Sequence, residues 1–267
     1  MQVRNVRGIM LEGKTIVVTG VGSGLGREVA CQCARDGANV VLGARTQSQL
    51  EAVAQEVDAS GEKVAVVTTD ITDPEACKAI ADEAERRFGR IDGMVQVAAY
   101  ELAFGGLDAT DFDAWRTSFE TNVIGSLQLL RPVAGSMRKH GGGAVVLIGS
   151  QSMYAPQIDQ MGYAASKGAL LSSMFYLAKE LGKDKIRVNT VVPSWMWGPP
   201  VELYLQMQAK QSDRTEAEIK AEIEAGIPLG EMAEDGDVAD AVAFMLSDRS
   251  RMITGQTLLV NGGEMMR

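Results

Sequence analysis

Tyr163 and Lys167 stand four residues apart in Tyr163-Ala164-Ala165-Ser166-Lys167, so on a helix they share one face. A free tyrosine ionises near pH ~10, too high for an ordinary base at neutrality. An ammonium beside it favours the phenolate and lowers that pKa. The pair offers acid–base chemistry that needs no imidazole, in a chain whose one histidine is His140. Tyr-x-x-x-Lys also arises by chance on helices, so the pair needs support from elsewhere. Ser150 supplies a hydroxyl at the end of the apolar run closing in Ile148-Gly149-Ser150. There it can hold a substrate oxygen, since ligands meet open α/β sheets at strand ends, and it equally suits a turn.

A second pattern is Thr19-Gly20-Val21-Gly22-Ser23-Gly24-Leu25-Gly26, between the run Lys14–Thr19 and a helical stretch from Arg27 to Arg35. Glycines here make the turn, let the backbone approach a diphosphate and let the helix pack on the strand. The helix start adds free N–H groups and the positive end of a dipole. The alternative is a glycine-rich turn that binds nothing. The next apolar run ends Leu42-Gly43-Ala44-Arg45-Thr46. An acidic residue at that place bonds the ribose 2′-hydroxyl of NAD. Ala44 occupies it and Arg45 follows, a guanidinium suited to phosphate, which favours NADP(H) over NAD(H) unless Arg45 is merely solvated.

Other chemistries are excluded or unsupported. A single histidine rules out multi-histidine zinc sites, and a Ser-His-Asp hydrolase would have to use His140. His140 precedes Gly141-Gly142-Gly143 and reads as a helix end, where a cation is favoured. Cys31, Cys33 and Cys77 follow no disulfide framework and point to reduced thiols and a cytoplasmic setting. Cys31 and Cys33, two apart, do not face each other on a helix, so no metal site is expected.

These residues need a scaffold. Short apolar runs recur at Lys14–Thr19, Asn39–Gly43, Lys63–Thr69, Gly93–Ala98, Ala144–Ile148, Arg187–Val192 and Gln256–Val260. Most are continuous, which suits strands covered on both faces by helices. Between them lie helical patterns, such as Leu50, Val53, Ala54 and Val57, or Asp73-Pro74 opening the face Cys77, Ile80, Ala81, Ala84 and Phe88. Strands alternating with helices predict an α/β, doubly wound, seven-stranded parallel sheet with helices on both faces. One domain is expected over residues 1–267. The irregular region 194–230 opens on aromatics and prolines and continues as a charged helix-like run, Ser212 to Ala225. A lid over about 194–226 is expected there.

Composition agrees: 46% hydrophobic and 23% charged residues is ordinary for a globular chain of 267 residues. The net charge of −9 argues against nucleic acid and against an anionic membrane surface. No apolar run reaches the ~20 residues of a span. Met1–Arg7 has no apolar stretch after its charges, so no signal peptide is expected.

The glycine loop, Asp70 after the third strand, Asn122 in a mid-chain helix, Ser150, Tyr163 with Lys167, and Asn189-Thr190-Val191-Val192-Pro193 occur in one order. From about Leu11 to Gly263 this resembles the short-chain dehydrogenase/reductase superfamily, in its short, 3-oxoacyl-reductase-like branch. The resemblance implies a Rossmann-type fold and hydride transfer between NADP(H) and a ketone or secondary alcohol. It implies that Tyr163 gives a proton to the carbonyl oxygen in reduction and takes it back in oxidation. Asn122 would support a water chain reaching Lys167, and Lys167 would also bond the nicotinamide ribose. The cofactor would touch Gly20, Ser23, Gly24, Leu25, Gly26, Arg45, Asp70, Ile71, Ala98 and the backbone after Pro193. Two departures stand out. The family's Asn-Asn-Ala-Gly is Gln96-Val97-Ala98-Ala99, and its Pro-Gly is Pro193-Ser194.

The expected substrate pocket is apolar: Tyr100 and Phe104, Met153 and Tyr154, and Trp195-Met196-Trp197, with Met161, Tyr204 and Met207 beside them. No Arg or Lys among them would hold a phosphate or carboxylate, so a small lipophilic ketone or secondary alcohol fits. Some of these aromatics suit lid packing or a subunit contact instead. The family is commonly tetrameric, so a homotetramer or homodimer is expected, with the ending Gly262–Arg267 docked on a neighbour. An NAD-dependent alcohol dehydrogenase and a non-catalytic nucleotide sensor are the competing readings.

Overall fold

The computed structural model describes residues 9–266. The Met1–Arg7 opening and Arg267, on which two expectations above fall, lie outside the described residues. Seven strands, β1 (Thr15–Thr19), β2 (Asn39–Ala44), β3 (Val64–Thr68), β4 (Gly93–Gln96), β5 (Gly143–Ile148), β6 (Ile186–Pro193) and β7 (Thr257–Val260), form one sheet. Its order is β3-β2-β1-β4-β5-β6-β7, and each neighbouring pair is parallel. The chain runs outward from β1 to β3, then crosses back to β4 beside β1. That reversal is where open sheets of this kind part to admit a ligand.

The continuous apolar runs reflect burial on two sides. Ile16 and Val18 of β1 face a cluster with α1 (Leu25–Arg35), α2 (Gln47–Val57) and α9 (Asp235–Leu246). Val17 faces the other cluster, with α3 (Pro74–Phe88), α5 (Ser126–Lys139) and α6 (Met161–Leu181). Local signals set the helix ends. Asp73 caps α3 by accepting from the Glu75 N–H at 2.9 Å, Pro74 fills the first turn, and Gly89 ends the helix at φ +77°. Cys33 and Cys77 are buried in these clusters and Cys31 is half-buried, each a free thiol. Burial pushes the Cys77 thiol up to about 11. His140 ends α5, with Nε2 3.3 Å from the Glu85 carboxylate.

Region 194–226 differs from its sequence reading. It contains α7 (Pro199–Gln211) as well as α8 (Glu216–Ala225). Pro199 and Pro200 occupy the first turn of α7, where their missing N–H groups cost nothing. The helix in the charged run does not start at Ser212: a capping box between Thr215 and Glu218 sets the start of α8 at Glu216. The two helices share a small core of their own, Val201, Leu205 and Ile219 with Ile227 and Met232. Among the described residues no helix is long and apolar enough to cross a membrane.

Candidate active site

A cavity of about 1360 Å³ opens where the sheet order reverses. Its floor is the turn from β1 into α1. Gly20 has φ +83°, and a Cβ there would meet the Ala98 backbone nitrogen at 2.2 Å. A Cβ on Gly26 would meet the Gly20 carbonyl oxygen at 2.2 Å. These two positions must be glycine because backbone packs on backbone. Gly24 precedes α1 with no side-chain cap, leaving the first N–H groups of the helix for a ligand. Gly20, Gly24, Leu25 and Gly26 line the cavity, whereas Ser23 stays exposed at the loop tip outside its wall. The cradle fits a dinucleotide diphosphate.

The wall continues through Arg45, Asp70, Ile71 and Ala98. Arg45 is exposed and, among the described residues, has no carboxylate in ion-pair contact. Thr46 beside it caps α2 without a side-chain hydrogen bond, so the α2 N-terminus is also open. The Asp70 carboxyl is held below its ordinary range by the Thr72 N–H and hydroxyl at 2.9 and 2.8 Å, with help from Arg45.

Ser150, Tyr163, Lys167 and Pro193 meet at the other end. Ser150 leaves β5 in extended backbone and lies 2.9 Å, Oγ to Oγ, from Ser152. Lys167, on α6, is buried, and its Nζ donates to the Ile148 carbonyl at 2.8 Å. That Nζ is 5.6 Å from the centre of the Tyr163 ring. The electrostatics differ from the sequence argument, which has the ammonium drawing the phenol down. Lost hydration pushes the Tyr163 phenol up, the Glu101 charge adds to this, and only the Ser150 hydrogen bond opposes it. Burial brings the Lys167 ammonium down to about 8, with Glu101 opposing. In the free protein Tyr163 is thus held as the protonated phenol.

Asn122 lies outside the cavity wall, fully buried in a π-helical stretch, Glu120–Gly125, between α4 (Phe112–Phe119) and α5. Such bulges often mark functional sites. Its amide oxygen accepts from the Tyr100 N–H at 2.7 Å, and its NH₂ reaches the Tyr100 carbonyl at 3.1 Å and Ser166 Oγ at 2.9 Å. The side chain therefore clamps the segment after β4 to α6, the helix that carries Tyr163 and Lys167. Gln96 has its own partner in that segment, donating to the Ala98 carbonyl at 2.7 Å.

Tyr100, Phe104, Trp195, Met196, Trp197, Tyr204 and Met207 do line the cavity. Met153 and Tyr154 do not, which corrects the sequence expectation. After Ser150 the chain enters a tight helical turn, Gln151–Met153, and the Met153 methyl packs toward Gly149 instead. Two acids that sequence reasoning passed over stand in the wall. Glu101 follows Tyr100, and Asp235 opens α9 with a carboxylate oxygen 3.6 Å from where a Gly24 side chain would begin. Burial, then Glu28, raises the Asp235 carboxyl, with Arg27 opposing. Glu101 carried a faint signal, a lone carboxylate beside apolar residues at a strand's C-terminal end. Asp235 carried none.

The family model described as enoyl-(acyl carrier protein) reductase matches residues 20–264. The chain belongs to the short-chain dehydrogenase/reductase superfamily. It is an NAD(P)-dependent oxidoreductase of that family. L-xylulose reductase of Mesocricetus auratus is 35% identical over 254 residues, covering 95% of this chain and 97% of that protein. L-rhamnose 1-dehydrogenase (NAD(P)(+)) of a Sphingomonas species is 30% identical over 256 residues, 95% of this chain and 97% of that one. The L-sorbose reductase of Gluconobacter frateurii, solved with NADPH and L-sorbose, superposes with a TM-score of 0.90 at 26% identity. The match covers 97% of this chain and 99% of that one. Similar solved structures include both an NAD⁺ complex and an NADPH complex.

Proposed function

We propose that the protein is an NADP(H)-dependent reductase of a lipophilic ketone, or in reverse a dehydrogenase of the secondary alcohol, with Tyr163 as its acid and base. The observation that carries this is the convergence of Ser150, Tyr163 and Lys167 in one cavity wall that is continuous with the diphosphate cradle. The nicotinamide, when bound, supplies or accepts the hydride. Ser150 holds the substrate oxygen beside the phenol. Tyr163 gives that oxygen its proton in reduction and recovers it in oxidation. Lys167, already bonded at Nζ to Ile148, would hold the cofactor ribose, and its charge stabilises the phenolate as it forms. Asn122 acts by holding the Tyr100 segment against α6.

Arg45 and the open start of α2 support the 2′-phosphate and hence NADP(H). The aromatic wall from Tyr100, Trp195 and Tyr204 supports a lipophilic substrate; Trp195 and Tyr204 pack with ring centres 5.2 Å apart. The hairpin of α7 and α8, with a core of its own, supports a lid at about 194–226. Exposed Phe112, Phe175 and Tyr176 support assembly into a homodimer or homotetramer. The test is oxidation of NADPH, followed at the reduced-nicotinamide band, on addition of aryl and alkyl ketones. Turnover with NADPH well above that with NADH supports the reading. Turnover with NADH at or above that with NADPH refutes the NADP(H) preference, and absence of turnover with either cofactor across the ketone set refutes the lipophilic-ketone reading.

A further inference from the structure

The catalytic end of the cavity carries a charge that a purely lipophilic substrate leaves unanswered. Glu101 lines the wall beside Tyr100 and is exposed to the cavity space. Among the described residues it enters no hydrogen bond or ion pair. It stands close enough to the reaction centre for its field to act on both Tyr163 and Lys167. Neither cation of that end is hydrogen-bonded or ion-paired to Glu101. Lys167 Nζ is bonded to Ile148, and Arg116 pairs with Asp113 at 2.5 Å. Glu120, a second exposed acid, also borders the cavity.

The cavity that Glu101 lines is rich in aromatics: Tyr100 precedes it in the chain, and Phe104, Trp195, Trp197 and Tyr204 stand in the same wall. Ring faces attract organic ammonium groups, the more so where water is excluded. Trp197 already takes one, with Lys220 Nζ 4.8 Å from its ring centre. A carboxylate in a cavity lined by aromatics is chemistry that selects a cation. A neutral ligand filling this space would strip water from Glu101 and return nothing, and an anionic ligand would be repelled.

Building on the oxidoreductase reading above, we propose that Glu101 is the specificity-determining residue of a cation subsite. The substrate is then a lipophilic ketone or secondary alcohol that carries a protonated or quaternary amine.

The test uses enzyme loaded with NADP⁺, which cannot reduce a ketone, and an unchanged absorbance at the reduced-nicotinamide band checks that the hydroxymethyl probe is not oxidised, so binding is read without turnover. Three probes share one frame: para-acetylbenzyl-trimethylammonium, its neutral isostere para-neopentylacetophenone, and para-hydroxymethylacetophenone. Dissociation constants come from calorimetry on the wild type and on Glu101→Gln, which keeps the side chain's size. The ammonium probe is expected to bind the wild type at least about tenfold tighter than its neutral isostere, and the ratio to fall to about one in Glu101→Gln. Equal binding by the wild type, an unchanged ratio in the variant, or no binding of the ammonium probe overturns the proposal. So does a hydroxymethyl probe as tight as the cation, which would make Glu101 an acceptor for substrate hydroxyls. Running the same ketones with NADPH separates the two readings. Turnover without cation preference defeats only the subsite. Cation-selective binding without turnover of any probe defeats only the reductase.

Discussion

Replacing Lys167 by Met removes a buried ammonium and keeps the length of the chain. In the folded protein burial brings that ammonium down to about 8, against an ordinary value of 10.5. Folded Lys167 releases its proton first on raising the pH, so between those values the unfolded chain binds more protons. Stability therefore rises with pH across that window, by ~1.4 kcal/mol per pH unit or about 3 kcal/mol in all. The Met variant lacks the rise. It also loses the bond from Nζ to the Ile148 carbonyl, a pH-independent cost of ~1 kcal/mol. Urea unfolding of both free proteins at one concentration, from neutral pH to about 10.5, reads the difference between their stabilities. That difference should shift in favour of the wild type by about 3 kcal/mol as the pH rises. Tyr163 titrates higher still and is present in both proteins, so it cancels. Parallel profiles would show that Lys167 is not a dehydrated cation and would remove the electrostatic account of the pair.

Tyr163→Phe should lower turnover by ~10²–10⁴-fold while leaving NADPH binding near wild type; retention of half the activity would refute the acid–base assignment. Arg45→Ala should weaken NADPH by roughly tenfold to a hundredfold and leave NADH nearly unchanged, read by fluorescence titration. Equal binding of both cofactors by the wild type would end the NADP preference before any variant was made. Gly20→Ala places a Cβ 2.2 Å from the Ala98 nitrogen at φ +83°, so it should both destabilise the fold and abolish dinucleotide binding; a thermal melt and affinity close to wild type would refute the close-packing argument. Hydrogen exchange over α7 and α8 should be fast in the free protein and slow once cofactor and ketone are both bound. Protection already present in the free state would make the hairpin a fixed wall or subunit contact instead of a lid.

Much of this was legible in local pattern. Continuous β-branched runs announced strands with two covered faces, and the structure puts Val17 against one cluster and Ile16 and Val18 against the other. Asp73-Pro74 announced a helix start because capping is chemistry between neighbours. The glycines of the first turn and the Tyr163–Lys167 spacing were readable for the same reason, since each depends on residues a turn apart. Helix α7 was hidden because Pro199-Pro200 reads as a break unless the helix is known to begin there. Met153 and Tyr154 were misplaced because one tight turn after Ser150 carries them away from the cavity.

What only the tertiary structure decided is the electrical character of the site. A lysine four residues on implied a phenol drawn toward ionisation, yet burial of both groups raises the tyrosine and lowers the lysine. Glu101 and Asp235 enter the same cavity from elements 134 positions apart, by way of the sheet's crossover. Periodicity and capping fix structure over a few residues, so a sequence states them directly. Desolvation and charge proximity depend on which distant segments close around a group, and those follow only from the folded chain.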